Sequence, residues 1–208
     1  MGTDAFRSES FARYLVAAAD YVDLVRRVDM ASLDAPGLGV WDLRALIGHT
    51  SRSLVTVIEY IARPADQIAA PTAVDYYRII AESFPDSDAV AERGRQAGAA
   101  LGDDPVAAVV ELADRARRAL DGLPPGYVLT TLVGGMPLEE YLRTRIFELV
   151  VHCLDIARAT GLRFEPSRDT LADAVRLAAE AALDAGHGGA LLLALTGRAP
   201  LPPGFSIV

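Results

Sequence analysis

Three residues of this chain have the types and spacing that metal chemistry needs: His49, Glu148 and His152. Glu148 and His152 stand four apart in the run Tyr141-Leu-Arg-Thr-Arg145-Ile-Phe-Glu148-Leu-Val-Val-His152-Cys-Leu-Asp155-Ile. On a helix they would project from one face about a turn apart, where a carboxylate oxygen and an imidazole nitrogen can reach one ion. The run reads as helix because no proline or glycine interrupts it, its apolar residues fall at helical spacing, and Gly161 stands just beyond it as a stop. Tyr141, Arg145, Glu148, His152 and Asp155 form a polar line along this otherwise apolar segment. Taken on its own, such a line is most simply a solvated face, and the Glu/His pair a weak surface contact.

His49 changes that reading. A lone histidine on an apolar helix is usually a satisfied structural residue. Two imidazoles and one carboxylate from two facing helices are instead the ligand set of an open zinc site, with a fourth position left for water or substrate. A closed structural site would want four protein ligands, usually with cysteine, and Cys153 points about 100° around the helix from His152. Serine chemistry finds no support: there is no Gly-x-Ser-x-Gly, and Ser51 and Ser53 near His49 lack a motif. His187 lies in a Gly-rich loop and is left out of the site.

The elements that must position these residues are mostly helical. Apolar residues at helical spacing predict a first helix over residues 8–29 and a second over 41–63, the latter carrying His49 and stopping before Pro64. The segment 35–39 breaks the pattern with Pro and Gly. Residues 74–84 and 88–101 read as helix interrupted near Pro85-Asp86, and Asp103-Asp-Pro105 opens a helix reaching about residue 120. The period then changes: residues 128–138 read as a small β-hairpin turning at Gly134-Gly135 and feeding the Tyr141 helix. Beyond Gly161, a helix is expected over 167–184. Residues 190–196 fit a helix capped by Gly197, although a buried strand fits the same run, and 200–208 is a surface tail that can finish as an edge strand. The expected fold is mainly α: an antiparallel four-helix bundle over residues 1–162, built from the first helix, the His49 helix, the 103–120 helix and the Tyr141 helix. A short helical extension over 163–208 packs on it.

Composition bounds the function further. A chain of 208 residues, 51% hydrophobic, can bury one substantial core. A net charge of −8 argues against nucleic-acid and anionic-membrane partners. All 20 basic residues are arginine, which removes Schiff-base and pyridoxal-phosphate chemistry and the phosphate-loop lysine. With Cys153 as the sole cysteine no intrachain disulfide can form, and with no apolar run long enough to span a membrane the expected home is the cytoplasm.

The pattern Trp41-Asp-Leu-Arg-Ala-Leu-Ile-Gly-His49, the hairpin ending Gly-Gly-Met-Pro-Leu, the run Arg145-Ile-Phe-Glu148-Leu-Val-Val-His152-Cys-Leu-Asp155 and the later Leu191-Leu-Leu-Ala-Leu-Thr-Gly197-Arg198 together resemble the mycothiol-dependent maleylpyruvate isomerase family within the DinB-like metalloenzyme superfamily. The resemblance covers nearly the whole chain. It implies a zinc ion on His49, Glu148 and His152, with mycothiol, a low-molecular-weight thiol, brought to that metal. It further implies an isomerase or S-transferase acting on a small electrophile. A metal-water hydrolase on the same scaffold and a non-catalytic small-molecule-binding bundle are the alternatives. Arg198 is a candidate catalytic residue that would clamp a substrate carboxylate, against the plainer reading of a surface arginine at a helix end. Arg145 and Asp155 are expected to orient Glu148 and His152, with surface salt bridges the simpler alternative. Oligomeric state is not read from the sequence.

Overall fold

The computed structural model describes the backbone of residues 2–83 and 87–207 and the side chains of residues 9–83 and 88–207. Helix α1 (Gly2–Val25) stops short of residue 29. There the Asp29 side chain accepts a hydrogen bond from the Ala31 amide (3.0 Å) and starts a separate 3-10 turn, Met30–Ser32. The Pro/Gly break that follows is more ordered than expected: β1 (Pro36–Leu38) pairs antiparallel with β2 (Trp41–Asp42). Helix α2 (Leu43–Ile61) therefore begins two residues later than its apolar pattern suggested, because extended Asp42 caps it by accepting from the Ala45 amide (2.7 Å).

Helices α3 (Ala73–Ser83) and α4 (Ser87–Ala99) follow, and the expected interruption at Pro85-Asp86 lies outside the described residues. Helix α5 (Pro105–Leu120) starts as its sequence requires, with Pro105 in the first turn and Asp104 accepting from the Ala107 amide (2.9 Å). The hairpin of β3 (Val128–Thr131) and β4 (Gly134–Pro137) is present, but its turn falls at Leu132 and Val133, not at the two glycines. Those glycines serve a close approach instead. A Cβ on Gly135 would lie 1.8 Å from the Gln67 carbonyl oxygen, while Gly134 takes a φ of 100°.

The hairpin delivers the chain into α6 (Leu138–Thr160), which carries Glu139 and Glu140 in its first turn and ends at Gly161 in the left-handed conformation. Helix α7 (Arg168–Asp184) and helix α8 (Gly188–Leu195) complete the chain, the latter settling the helix-or-strand alternative as helix. Residues 200–207 form no strand.

Helices α1, α2, α5 and α6 make the bundle, with α1 and α2 each touching both α5 and α6. Tyr14 and Tyr21 are fully buried between α1 and α2, their hydroxyls donating to the carbonyls of Ser53 (3.1 Å) and Ile47 (2.7 Å). Leu46, Leu54, Val109, Leu142, Ile146 and Leu149 fill the centre. Helix α4 rests on α2 where both lack side chains: a Cβ on Gly48 would meet the Gly98 amide at 2.1 Å. Helix α7 docks on α6, α1 and α3, and α8 packs on α7. Among the described residues no helix is long and apolar enough to cross a membrane.

Candidate metal centre

Helix α6 touches α1, α2, α3 and α7, so little of its circumference is left for solvent. Its polar line therefore turns inward. Tyr141 and Arg145 are buried, and Glu148, His152 and Asp155 are only partly accessible. Facing them is His49, in the second turn of α2 next to the Gly48 crossing. One donor atom from each of His49, Glu148 and His152 lies within 4.8 Å of the other two.

His152 is held from both ends of its ring. Nδ1 sits 3.1 Å from Asp155 Oδ2, and Nε2 sits 3.3 Å from Glu148 Oε2. Burial opposes a charge on this ring, but the hydrogen bonds to the two carboxylates outweigh it and push the pKa up to about 9. Burial likewise disfavours the Glu148 carboxylate. The hydrogen bond with His152, the nearby Arg145 charge and the Tyr77 hydroxyl hold its pKa down at about 2. His49 goes the other way: burial, then the neighbouring His152, depress its pKa to about 4, leaving a neutral imidazole at pH 7.

This donor set fits a divalent cation. His49 Nδ1 is the one fully buried side-chain nitrogen or oxygen without a hydrogen-bond partner among the described residues, so at least part of that imidazole's bonding capacity is unspent within the protein. Asp155 fixes the ring of His152 through Nδ1, which turns Nε2 toward Glu148. Tyr77 donates to Glu148 Oε1 at 2.8 Å and leaves Oε2 as the oxygen facing the imidazole. Carboxylate–histidine pairs of this kind set tautomer and ring orientation in metal sites.

The walls were not visible as such in the sequence. Trp41 lies against His49 with ring centroids 4.4 Å apart, its indole nitrogen donating to the Ala91 carbonyl (2.9 Å). Gly94 makes room for it, since a Cβ there would come within 2.5 Å of the indole. Tyr76 and Tyr77 come from α3, where nothing in the spacing marks them as site residues. Of the residues expected to orient the ligands, Asp155 contacts His152 directly. Arg145 bonds neither Glu148 nor His152; its Nε donates to Thr144 Oγ1 (3.0 Å) and its guanidinium lies over the rings of Tyr141 and Tyr76. Arg198 is not brought into this group. It is exposed beyond the end of α8, with Nη1 3.4 Å from the Thr196 carbonyl oxygen.

Against known proteins, the family model described as the mycothiol maleylpyruvate isomerase N-terminal domain matches residues 15–157, a span that begins in α1 and ends just after Asp155. No curated protein and no solved structure matches the chain significantly.

Proposed function

The chain belongs to the family of the mycothiol maleylpyruvate isomerase N-terminal domain, and on that premise we propose that it is a zinc enzyme using mycothiol or a similar small thiol. It acts as an isomerase or S-transferase on a small electrophile. The observation that carries the proposal is the convergence of His49, Glu148 and His152 from two helices, with donor atoms within 4.8 Å of one another.

Those three side chains would hold the ion. When bound, zinc supplies Lewis acidity and keeps a thiol in its anionic form near neutral pH. The chain's own residues account for the rest. Asp155 steadies His152, Tyr77 steadies Glu148, and neutral His49 needs to lose no proton at pH 7. The sole cysteine is not available as a nucleophile: Cys153 is buried, and burial pushes its thiol well above the usual range. A thiol brought from outside would supply the sulfur nucleophile for an electrophilic carbon, given back on isomerisation or kept by the substrate, with loss of a leaving group, on S-transfer.

Cobalt-substituted protein titrated with mycothiol tests this. A sulfur-to-metal charge-transfer absorption is expected, together with turnover of a conjugated electrophile only when thiol is present. Activity without thiol, suppressed on adding it, would identify a metal-water hydrolase instead. Protein that retains no divalent metal would fit a binding bundle and end the enzymatic reading.

A further inference from the structure

Arg145 is a permanently charged side chain, 7% exposed, that feels the Glu148 carboxylate only through space and has no carboxylate in hydrogen-bond contact. Among the described residues no carboxylate forms an ion pair with it, and its only hydrogen bond runs from Nε to Thr144 Oγ1 (3.0 Å). Glu148, one turn along the same face, already has its two oxygens engaged by Tyr77 and His152. The guanidinium carbon lies 5.0 Å from the Tyr141 ring centroid and 5.5 Å from that of Tyr76. Both rings are anchored, Tyr141 through its hydroxyl to Thr56 Oγ1 (2.6 Å) and Tyr76 by edge contact with Tyr77. Aromatic faces soften the burial of a cation but give its N–H groups no acceptor. Nη1 and Nη2 are thus left without partners, and they are not among the fully buried unpartnered atoms, so they keep contact with solvent.

A buried guanidinium whose terminal N–H groups meet no acceptor is incompletely compensated by a carboxylate that acts only through space, and a hydrogen-bonded anion would complete it. We propose that Arg145 is an anion-binding residue: its guanidinium, walled by Tyr76 and Tyr141 one helical turn from Glu148, takes a carboxylate of a small molecule bound at the His49–Glu148–His152 centre. A planar carboxylate is the natural occupant because the two free terminal nitrogens form a fork that matches its two oxygens. Arg145 replaces exposed Arg198 as the arginine placed to read substrate charge. The assignment deepens the functional reading above by naming the group its substrate carries. Anion binding by a guanidinium does not itself need the metal, so the two can fail separately.

The test is calorimetric titration of the whole protein, as purified and after zinc loading, with fumarate and with its neutral diamide, fumaramide. Fumarate should bind the parent, and fumaramide should bind at least about tenfold more weakly. Arg145→Met should lower fumarate affinity by about tenfold or more, with Arg145→Lys falling between, while all three proteins hold equal zinc. On the parent protein itself, the Nε–H resonance of Arg145 should shift during the fumarate titration, a readout that survives any failure of a variant to fold. Absence of fumarate binding by the parent overturns the proposal, as does an unmoved Arg145 resonance. So does fumarate binding that Arg145→Met leaves intact, or a loss that merely follows loss of zinc. Anion binding preserved in protein that takes up no zinc would leave Arg145 assigned and remove the metal reading alone.

Discussion

Two of the arginines of helix α6, Arg143 and Arg145, stand two residues apart, and its two faces treat them in opposite ways. On the outer face Arg143 is paired twice, with Glu140 on its own helix (3.0 Å) and with Glu180 on α7 (2.6 Å). On the inner face Arg145 meets only a threonine hydroxyl and two aromatic rings, although it is the more buried of the two. The same face spends its carboxylates on a histidine: Glu148 and Asp155 both engage His152. The outer face is thus electrostatically complete within the protein. The inner face has a cation with no carboxylate in hydrogen-bond contact and a histidine nitrogen short of a partner across the bundle.

The sharpest way to break this contrast is to remove the inner donors. In His49→Ala, Glu148→Ala or His152→Ala, bound divalent metal should fall to background by elemental analysis, whereas Glu180→Ala on the outer face should keep the parent's content. Helical circular dichroism should persist in all four, since the core around Leu46, Leu142 and Ile146 is apolar and does not depend on an ion. Parental metal content in His152→Ala would falsify the site.

Asp155→Asn should have a smaller effect with a characteristic pH signature. Without metal, His152 keeps its proton up to about pH 9, whereas His49, near 4, is already neutral at pH 7. The sign follows from linkage: a raised histidine pKa stabilises the fold fully below its ordinary value near 6.5, and that contribution is lost as pH rises through about 9. Zinc binding at pH 7 must therefore displace about one proton, from His152, and affinity should climb with pH until about 9. Calorimetry in buffers of different ionisation heat counts that proton. In Asp155→Asn the proton is held less tightly, so the pH at which affinity stops climbing should fall below about 9. Above pH 9, where proton competition has gone, zinc affinity should drop about 10- to 100-fold as orientation of His152 weakens. Zinc affinity above pH 9 equal to the parent's would mean that Asp155 does not orient His152.

Much of this centre was legible in the sequence, because a four-residue spacing on an uninterrupted helix is a local property. Glu148 and His152 share a face by helix geometry alone, the cap at Asp104 bonds an amide three residues on, and Gly161 ends its helix through its own left-handed backbone. Whether the polar line faced water or protein was not local. It depended on α3 and α7 closing the remaining sides of α6, which no periodicity within α6 encodes. Trp41 illustrates the same limit. Its place at a helix start was readable, but its stacking on His49 needs the α4 glycine that makes room for it, more than fifty residues away in sequence. Gly134-Gly135 had the residue types of a tight turn, yet tertiary contact with the 65–70 segment uses them for close approach, and the turn moves two residues earlier. Arg198 was singled out for its place after a helix-ending glycine, a feature that says where a helix stops and nothing about what lies opposite.

The smallest effect expected is also the most direct test of the two arginines. In metal-free protein, Arg143→Met removes a partly exposed cation from two carboxylates, an interaction worth about 0.5–1 kcal/mol, and should lower stability in urea by that amount. Arg145→Met removes a buried cation that no carboxylate contacts directly and puts a flexible apolar side chain among Tyr76, Tyr141 and their neighbours. Replacing buried charge by apolar volume is commonly neutral or stabilising by about 1–4 kcal/mol, offset here by about 1–2 kcal/mol of lost cation–π attraction. The expected result is therefore no loss, or a gain of about 1 kcal/mol, opposite in sign to the Arg143 variant despite the deeper burial of Arg145. A residue kept for packing would behave the other way round. If Arg145→Met proved the more destabilised of the pair, the guanidinium would be holding the bundle together and the contrast between the two faces would be one of burial alone.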